Sequence, residues 1–218
     1  MNKLYADPLQ SHSSKPFRLG PIKTSKREII DIAKGWGALS FAFALIYSGI
    51  HLLGGRSFTN IISLEFLILF LVSLFTAGLG FLLHELAHKF VAQHYGCAAE
   101  FRAFDQMLYM AVGLAAVIGF IFAAPGAVMI VGNVTRRENG IISAAGPLTN
   151  YVLAGLFFGI SSLGGFWSIF SVGFFINIWL GLFNMIPFGN FDGRKIYQWN
   201  MPVWIAMVAF GIALMVVL

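Results

Sequence analysis

Residues Ile61–Tyr95 read IISLEFLILFLVSLFTAGLGFLLHELAHKFVAQHY, and this stretch decides the fold. It is apolar enough, and longer than the roughly 20 residues needed, to cross a bilayer as one helix; charge enters only at Glu65, Glu85 and Lys89. Near its inner end lies His84-Glu85-Leu86-Ala87-His88. On a helix two histidines four residues apart project from one face and reach a single metal, with Glu85 beside the water that such a metal would hold. The other reading is a pair of buried histidines hydrogen-bonded to neighbouring helices. A His-Glu-His group in hydrocarbon is costly without a purpose, which favours a site.

Working outward, the chain has 218 residues, of which 58% are hydrophobic and 11% charged, with a mean hydropathy of +0.81. These values predict an all-α polytopic membrane protein with one membrane domain, and they exclude an ordinary soluble domain. Cys97 is the single cysteine, so no intramolecular disulfide framework exists. Met1–Lys34 is polar and carries seven of the fourteen Lys and Arg residues. It is expected to be a largely unstructured cytoplasmic arm whose charges fix orientation, with contact to anionic lipid as its functional reading. No nucleic-acid partner is expected, and the long basic region followed by no small-residue cleavage site argues against a signal peptide.

Apolar segments predict spans at Gly35–Leu53, Ile61–Tyr95, Ile141–Leu163, Phe166–Ile186 and Pro202–Leu218, with Met107–Gly132 as an ambiguous sixth; five to six transmembrane helices are expected. If the first two spans form a hairpin, thirteen of the fourteen positive charges fall on the cytoplasmic side and only Arg56 on the other. This orientation puts the N-terminus and the histidines toward the cytoplasm. Met107–Gly132 must then return to the side it left, and its 26 residues are too few for two crossings. The expectation is a short re-entrant hairpin or strand element near the histidines: a helical leg over Leu108–Gly119, then Ala124–Ile130 returning as an extended strand. A plain helix kinked at Pro125 is the alternative.

Two histidines leave a catalytic metal site one ligand short. Glu65 lies nineteen residues before His84 on the same helix, about 28 Å away along the axis, and is expected to meet a polar neighbour near the far interface. His94 stands at the metzincin spacing, yet Val91 occupies the place where those peptidases turn on glycine, and a continuing helix carries His94 about 9 Å further and away. Asp192, in Asn184-Met185-Ile186-Pro187-Phe188-Gly189-Asn190-Phe191-Asp192-Gly193, follows a helix break on the same side as His88 and is favoured over a surface turn.

Three blocks resemble the site-2 proteases, the intramembrane zinc metalloproteases: the His84–His88 helix continuing to Gly96, Ala145-Gly146-Pro147-Leu148-Thr149-Asn150, and Asn184-x-x-Pro187 leading to Asp192-Gly193. They cover a core from about Ile61 to Lys195 within a membrane domain of 35–218. The resemblance implies one Zn2+ per chain held by His84, His88 and Asp192, with Glu85 activating water and Asn184 holding the scissile carbonyl or its oxyanion. Asn150 is expected to support the site, Pro147 to sit in a helix first turn, and Asn177 to have a structural role. Phe191 and Asn190 depart from the family pattern of Leu and Pro, which touches the rigidity of that loop.

The expected function is hydrolysis of peptide bonds in or near transmembrane segments of membrane-protein substrates, that is, regulated intramembrane proteolysis in the cell membrane. Gly126, Ala127 and Val128 on the returning strand would hold an unwound substrate by main-chain hydrogen bonds. The alternative is a non-proteolytic membrane metal-binding or transport protein; polar residues are not repeated through the other spans, which argues against a permeation path. No appended PDZ or CBS domain is expected, because no segment outside the expected spans is long enough for one.

Overall fold

A computed structural model describes residues 17–20, 22–121, 126–163 and 167–217. Strands β1 (Phe17–Leu19) and β2 (Ile22–Thr24) pair antiparallel, with Leu19 opposite Ile22. Helix α1 (Lys26–Ser48) starts where the Ser25 hydroxyl accepts the Glu28 N–H, and it stops where Gly49 takes the left-handed conformation at φ 67°. The sequence led us to expect an unstructured arm up to Lys34. The structure corrects this for the described part, because the cap at Ser25 starts the helix early and Glu28 and Asp31 are buried. Residues 1–16 lie outside the described residues.

Helix α2 (Leu64–Ser73), one π-helical turn (Leu74–Gly78) and α3 (Leu79–His94) run on as a single apolar helix of 31 residues. At the π turn the Leu79 N–H bonds back to Leu74 O, and Trp36 of α1 donates its indole N–H to the same carbonyl at 2.9 Å. Gly78 admits α1 closely: a Cβ there would lie 2.7 Å from Trp36 Cδ1. Phe41 and Phe66 then pack edge to face across the α1–α2 contact, with Leu45, Ile50 and Ala115 completing that core.

After α3 come β3 (Ala98–Ala103), α4 (Asp105–Ile118) and β4 (Gly126–Val131), followed by α5 (Arg136–Ser162), α6 (Trp167–Asn184), α7 (Asp192–Trp199) and α8 (Met201–Val217). Strands β3 and β4 pair antiparallel from Ala98↔Val131 to Ala103↔Gly126. The described residues are thus mostly helical with two small sheets, where only helices and one short re-entrant hairpin or strand element were expected. β3 arises because Ala99 and Phe101 are buried while Glu100 and Arg102 turn to polar partners, the period-two pattern of a strand. At 14 residues α4 is about 21 Å long, shorter than the roughly 30 Å hydrocarbon layer, and the chain comes back as β4. Ala124 and Pro125, expected to begin that strand, lie outside the described residues.

Helices Lys26–Ser48, Leu64–His94 and Arg136–Ser162 are long and apolar enough to cross a membrane; Phe170–Asn184 and Met201–Val216 are apolar but shorter. Helix α5 begins five residues before the expected Ile141, because Thr135 and Glu138 form a reciprocal capping box. This puts Pro147 inside the helix and not in its first turn, where a missing backbone donor costs about 3 kcal/mol in an ordinary helix.

Candidate metal centre

His84 and His88 lie one turn apart on the face of α3 that packs against α5, with ring centroids 4.6 Å apart and ring planes at 84°. Their Nε2 atoms are 3.0 Å apart. Asp192, the first residue of α7, brings Oδ2 to 3.3 Å from His84 Nε2 and 3.1 Å from His88 Nε2. All three side chains are buried. Asp192 was expected in irregular backbone; the break spans Met185–Phe191, and the aspartate itself opens the next helix. Gly193 lets that helix seat against the backbone of Met185, whose carbonyl accepts the Trp204 indole at 2.8 Å.

The far side of each ring is held by α5. His88 Nδ1 donates to Ile142 O at 2.7 Å. His84 Nδ1 donates to Asn150 Oδ1 at 2.6 Å, and the Asn150 amide is oriented by donating to Gly80 O and to Asn177 Oδ1. Asn177 in turn donates to Gly173 O, the structural role expected of it. With both Nδ1 atoms protonated, the Nε2 lone pairs of both histidines and the Asp192 carboxylate converge on one point. Three acceptors this close repel one another unless a cation lies among them. A tetrahedral zinc with ligands at 2.0–2.2 Å separates its donors by about 3.3–3.6 Å, so the 3.0–3.3 Å spacings come within about half an ångström of those around such an ion, and the donor set of two imidazoles and a carboxylate suits it.

Gly146 faces the rings between Ile142 and Asn150, one turn from each. A Cβ on it would lie 2.6 Å from His84 Nε2 and closer still to His88 Nε2. Among the expected residues, His84, His88 and Asp192 come together and Asn150 supports His84. His94 is exposed at the end of α3, stacked edgewise on Tyr95, and Glu65 pairs with Arg56 at 2.7 Å. Asn184 donates to Leu180 O of its own helix at 2.9 Å.

Glu85 is half-buried, and its Oε2 accepts the Val128 N–H at 3.0 Å. Val128 pairs with Phe101, whose own N–H leaves the sheet on the opposite side. Val128↔Phe101 is therefore a pair without mutual hydrogen bonds, and by alternation Gly126, Val128 and Ile130 turn their main-chain groups outward while Ala127 turns toward β3. The outer edge of β4 thus faces Glu85 through Gly126 and Val128, and the expectation for Ala127 is corrected by the register.

A Methanocaldococcus jannaschii protein named as a candidate zinc metalloprotease is 40% identical to this chain over 187 residues, which cover 83% of this chain and 88% of that protein. The chain belongs to this zinc metalloprotease family. No family model matches it. No solved structure matches it either. Within the zinc metalloprotease reading, the residues that sequence reasoning missed are those that seat the ligands: Gly146, the Ile142 carbonyl and Gly80. Gly146 was quoted only as part of a motif, and its signal was its place four residues before Asn150.

Proposed function

We propose that this chain is an intramembrane zinc metalloprotease of the site-2 protease type, cleaving peptide bonds in or near transmembrane segments of membrane proteins. The observation that carries this reading is that Asp192 of α7 converges with His84 and His88, which lie on a helix of 31 residues apolar enough to span a bilayer. One zinc ion per chain held by these side chains would supply Lewis acidity toward a water and a peptide carbonyl. Glu85 takes a proton from the attacking water and passes it to the leaving amide nitrogen, so that the C–N bond breaks as the new carboxyl forms. Asn184 spends one N–H on Leu180 O, and the second would serve the oxyanion. An unwound substrate segment adds to the outer edge of β4 through the main chain of Gly126 and the Val128 carbonyl, because the Val128 N–H is given to Glu85. Unwinding is required because a helix engages its carbonyls in its own hydrogen bonds.

The distribution of Lys and Arg supports a cell-membrane protein with its N-terminus and metal site toward the cytoplasm, and with its basic arm against anionic lipid. The test is cleavage of transmembrane peptides by protein purified into bilayers, with Glu85→Gln alongside. Loss of cleavage with zinc retained is expected in the variant; a wild type that cleaves no transmembrane peptide while holding zinc would defeat the reading. Comparing membrane proteomes of wild-type and Glu85→Ala strains would identify substrates as proteins that accumulate uncut.

A further inference from the structure

Outside the candidate metal centre, the most deeply buried charged group among the described residues is Glu28. It is 0% exposed, and its partner Lys89, next in sequence to His88, is 1% exposed. Glu28 Oε2 accepts the Lys89 ammonium and the Thr24 hydroxyl, and Oε1 accepts the Phe101 N–H at 2.7 Å. A buried carboxylate is tolerated only when its lone pairs are met, and here α1, α3, β2 and β3 each supply or carry a partner. The same region is sewn further. Gln93 of α3 bonds to the main chain of Lys23 in both directions and to Ala99 O, while Ser25 donates to Glu100 and Arg102 lies 3.7 Å from Asp31.

The Phe101–Val128 pair connects this cluster to the chemistry. Phe101 gives its N–H to Glu28 on one outer edge of the sheet, and Val128 gives its N–H to Glu85 on the other. One carboxylate thus holds each edge of the same cross-strand pair. The Phe101 ring, 2% exposed, is wedged between Phe81 of α3 at a centroid distance of 6.0 Å and the backbone of Gly35 and Gly126. Gly126 has no room for a side chain, since a Cβ would lie 2.5 Å from both Phe101 Cζ and Arg102 O. Sliding or tilting β3 would therefore carry β4 with it.

We propose that Glu28 is a positioning residue for the reaction: by holding the Phe101 amide and Lys89 together it sets the height of β4 against α3, so that Val128 N–H meets Glu85 and the outer edge is presented beside the metal ligands. This rests on the proteolytic reading for its catalytic consequence. The mechanical link from Glu28 to Val128 stands on geometry alone. It gives the N-terminal segment a defined task, since the residues that cap and flank Glu28 come from the region read in the sequence as an unstructured arm.

The test compares two double variants of the full chain that both remove the buried charges. Glu28→Gln with Lys89→Met keeps a carbonyl acceptor for Phe101; Glu28→Leu with Lys89→Met does not. Because an ion pair can be replaced by uncharged groups with little loss of stability, both are expected to fold and to hold zinc. Exchange of the Val128 and Phe101 amides, read by hydrogen–deuterium exchange, should stay close to wild type in the Gln variant and accelerate by about tenfold or more in the Leu variant. On a transmembrane peptide the Leu variant should raise KM by about tenfold with a smaller change in kcat, the split expected of weakened substrate binding, and Gln should restore it. Equal exchange at Val128 in both variants would overturn the proposal. If wild type cleaves nothing while the exchange contrast persists, the proteolytic reading fails and the link from Glu28 to β4 survives.

Discussion

Gly146→Ala is the smallest change that should disable the metal centre. The added Cβ would sit 2.6 Å from His84 Nε2 and Cε1 and nearer to His88 Nε2, about 0.8 Å or more inside ordinary contact, whereas metal–ligand distances tolerate only about ±0.2 Å. The rings have little room to yield, because Ile142 O and Asn150 Oδ1 hold them from the same helix that carries the new methyl group. Moving them breaks those bonds; moving α5 breaks its packing on α3 and α6. Loss of a single partner behind a metal-binding histidine lowers affinity by 10–100-fold, and here two are disturbed at once, so a loss of about 100-fold or more in zinc affinity is expected, near 2.7 kcal/mol. The assay is competition with a chelator of known affinity on detergent-purified protein. Gly155→Ala is the internal control: it makes the same substitution on the same helix, with nothing within 4 Å of the new Cβ, and should bind zinc as wild type does. Wild-type affinity in Gly146→Ala would show that the rings move freely, and the account of how α5 seats them would have to be abandoned.

Other outcomes follow from the same geometry. Asp192→Ala should lose zinc as fully as His84→Ala or His88→Ala; undiminished zinc would remove Asp192 from the ligand set and return attention to His94. Asn150→Ala, which takes the acceptor from His84 Nδ1, should weaken zinc by about 10–100-fold without unfolding the chain, as measured by the same competition. Asn184→Ala should keep zinc and lose about 100-fold in kcat on a transmembrane peptide, and wild-type turnover would reduce Asn184 to packing. Single cysteines at Arg102 and Arg136, in a background lacking Cys97, should both label from the cytoplasmic side; labelling from opposite sides would make the segment between them a full crossing and refute the returning strand.

The residues that converge at the candidate metal centre were legible because their chemistry is rare in an apolar chain: two histidines at helical spacing, and an aspartate just past a proline-and-glycine break. The return of the chain after α4 was legible from charge and length alone. Other features left weaker traces. Gly146 is one of 24 glycines, and its need to be glycine exists only once α5 lies against α3. Glu28 and Lys89 each read as solvated or topological charges, since pairing across 61 residues leaves no local pattern. The early start of α5 was readable in Thr135 and Glu138, but the apolar run at Ile141 drew the boundary inward, because hydropathy marks what lipid covers and not where the helix begins. For β4 the sequence could not tell which main-chain groups face out; that depends on β3 and the register of its six pairs.

The π turn at Leu74–Gly78 makes the orientation of the metal site a matter of residue count. Each residue of an α-helix advances the azimuth by about 100°, and a single π turn takes up one residue beyond that rhythm. Above it, the helix is clocked by α1 through Trp36 and Gly78; below it, the histidines are clocked by α5 and α7. The turn is the phase adjustment between these two settings. Straightening it into an unbroken α-helix with every residue kept would leave the hydropathy profile unchanged, yet swing His84 and His88 by about 100° away from Asp192. A change nearly invisible to composition would thus leave a well-formed membrane protein with its ligands facing the wrong neighbours.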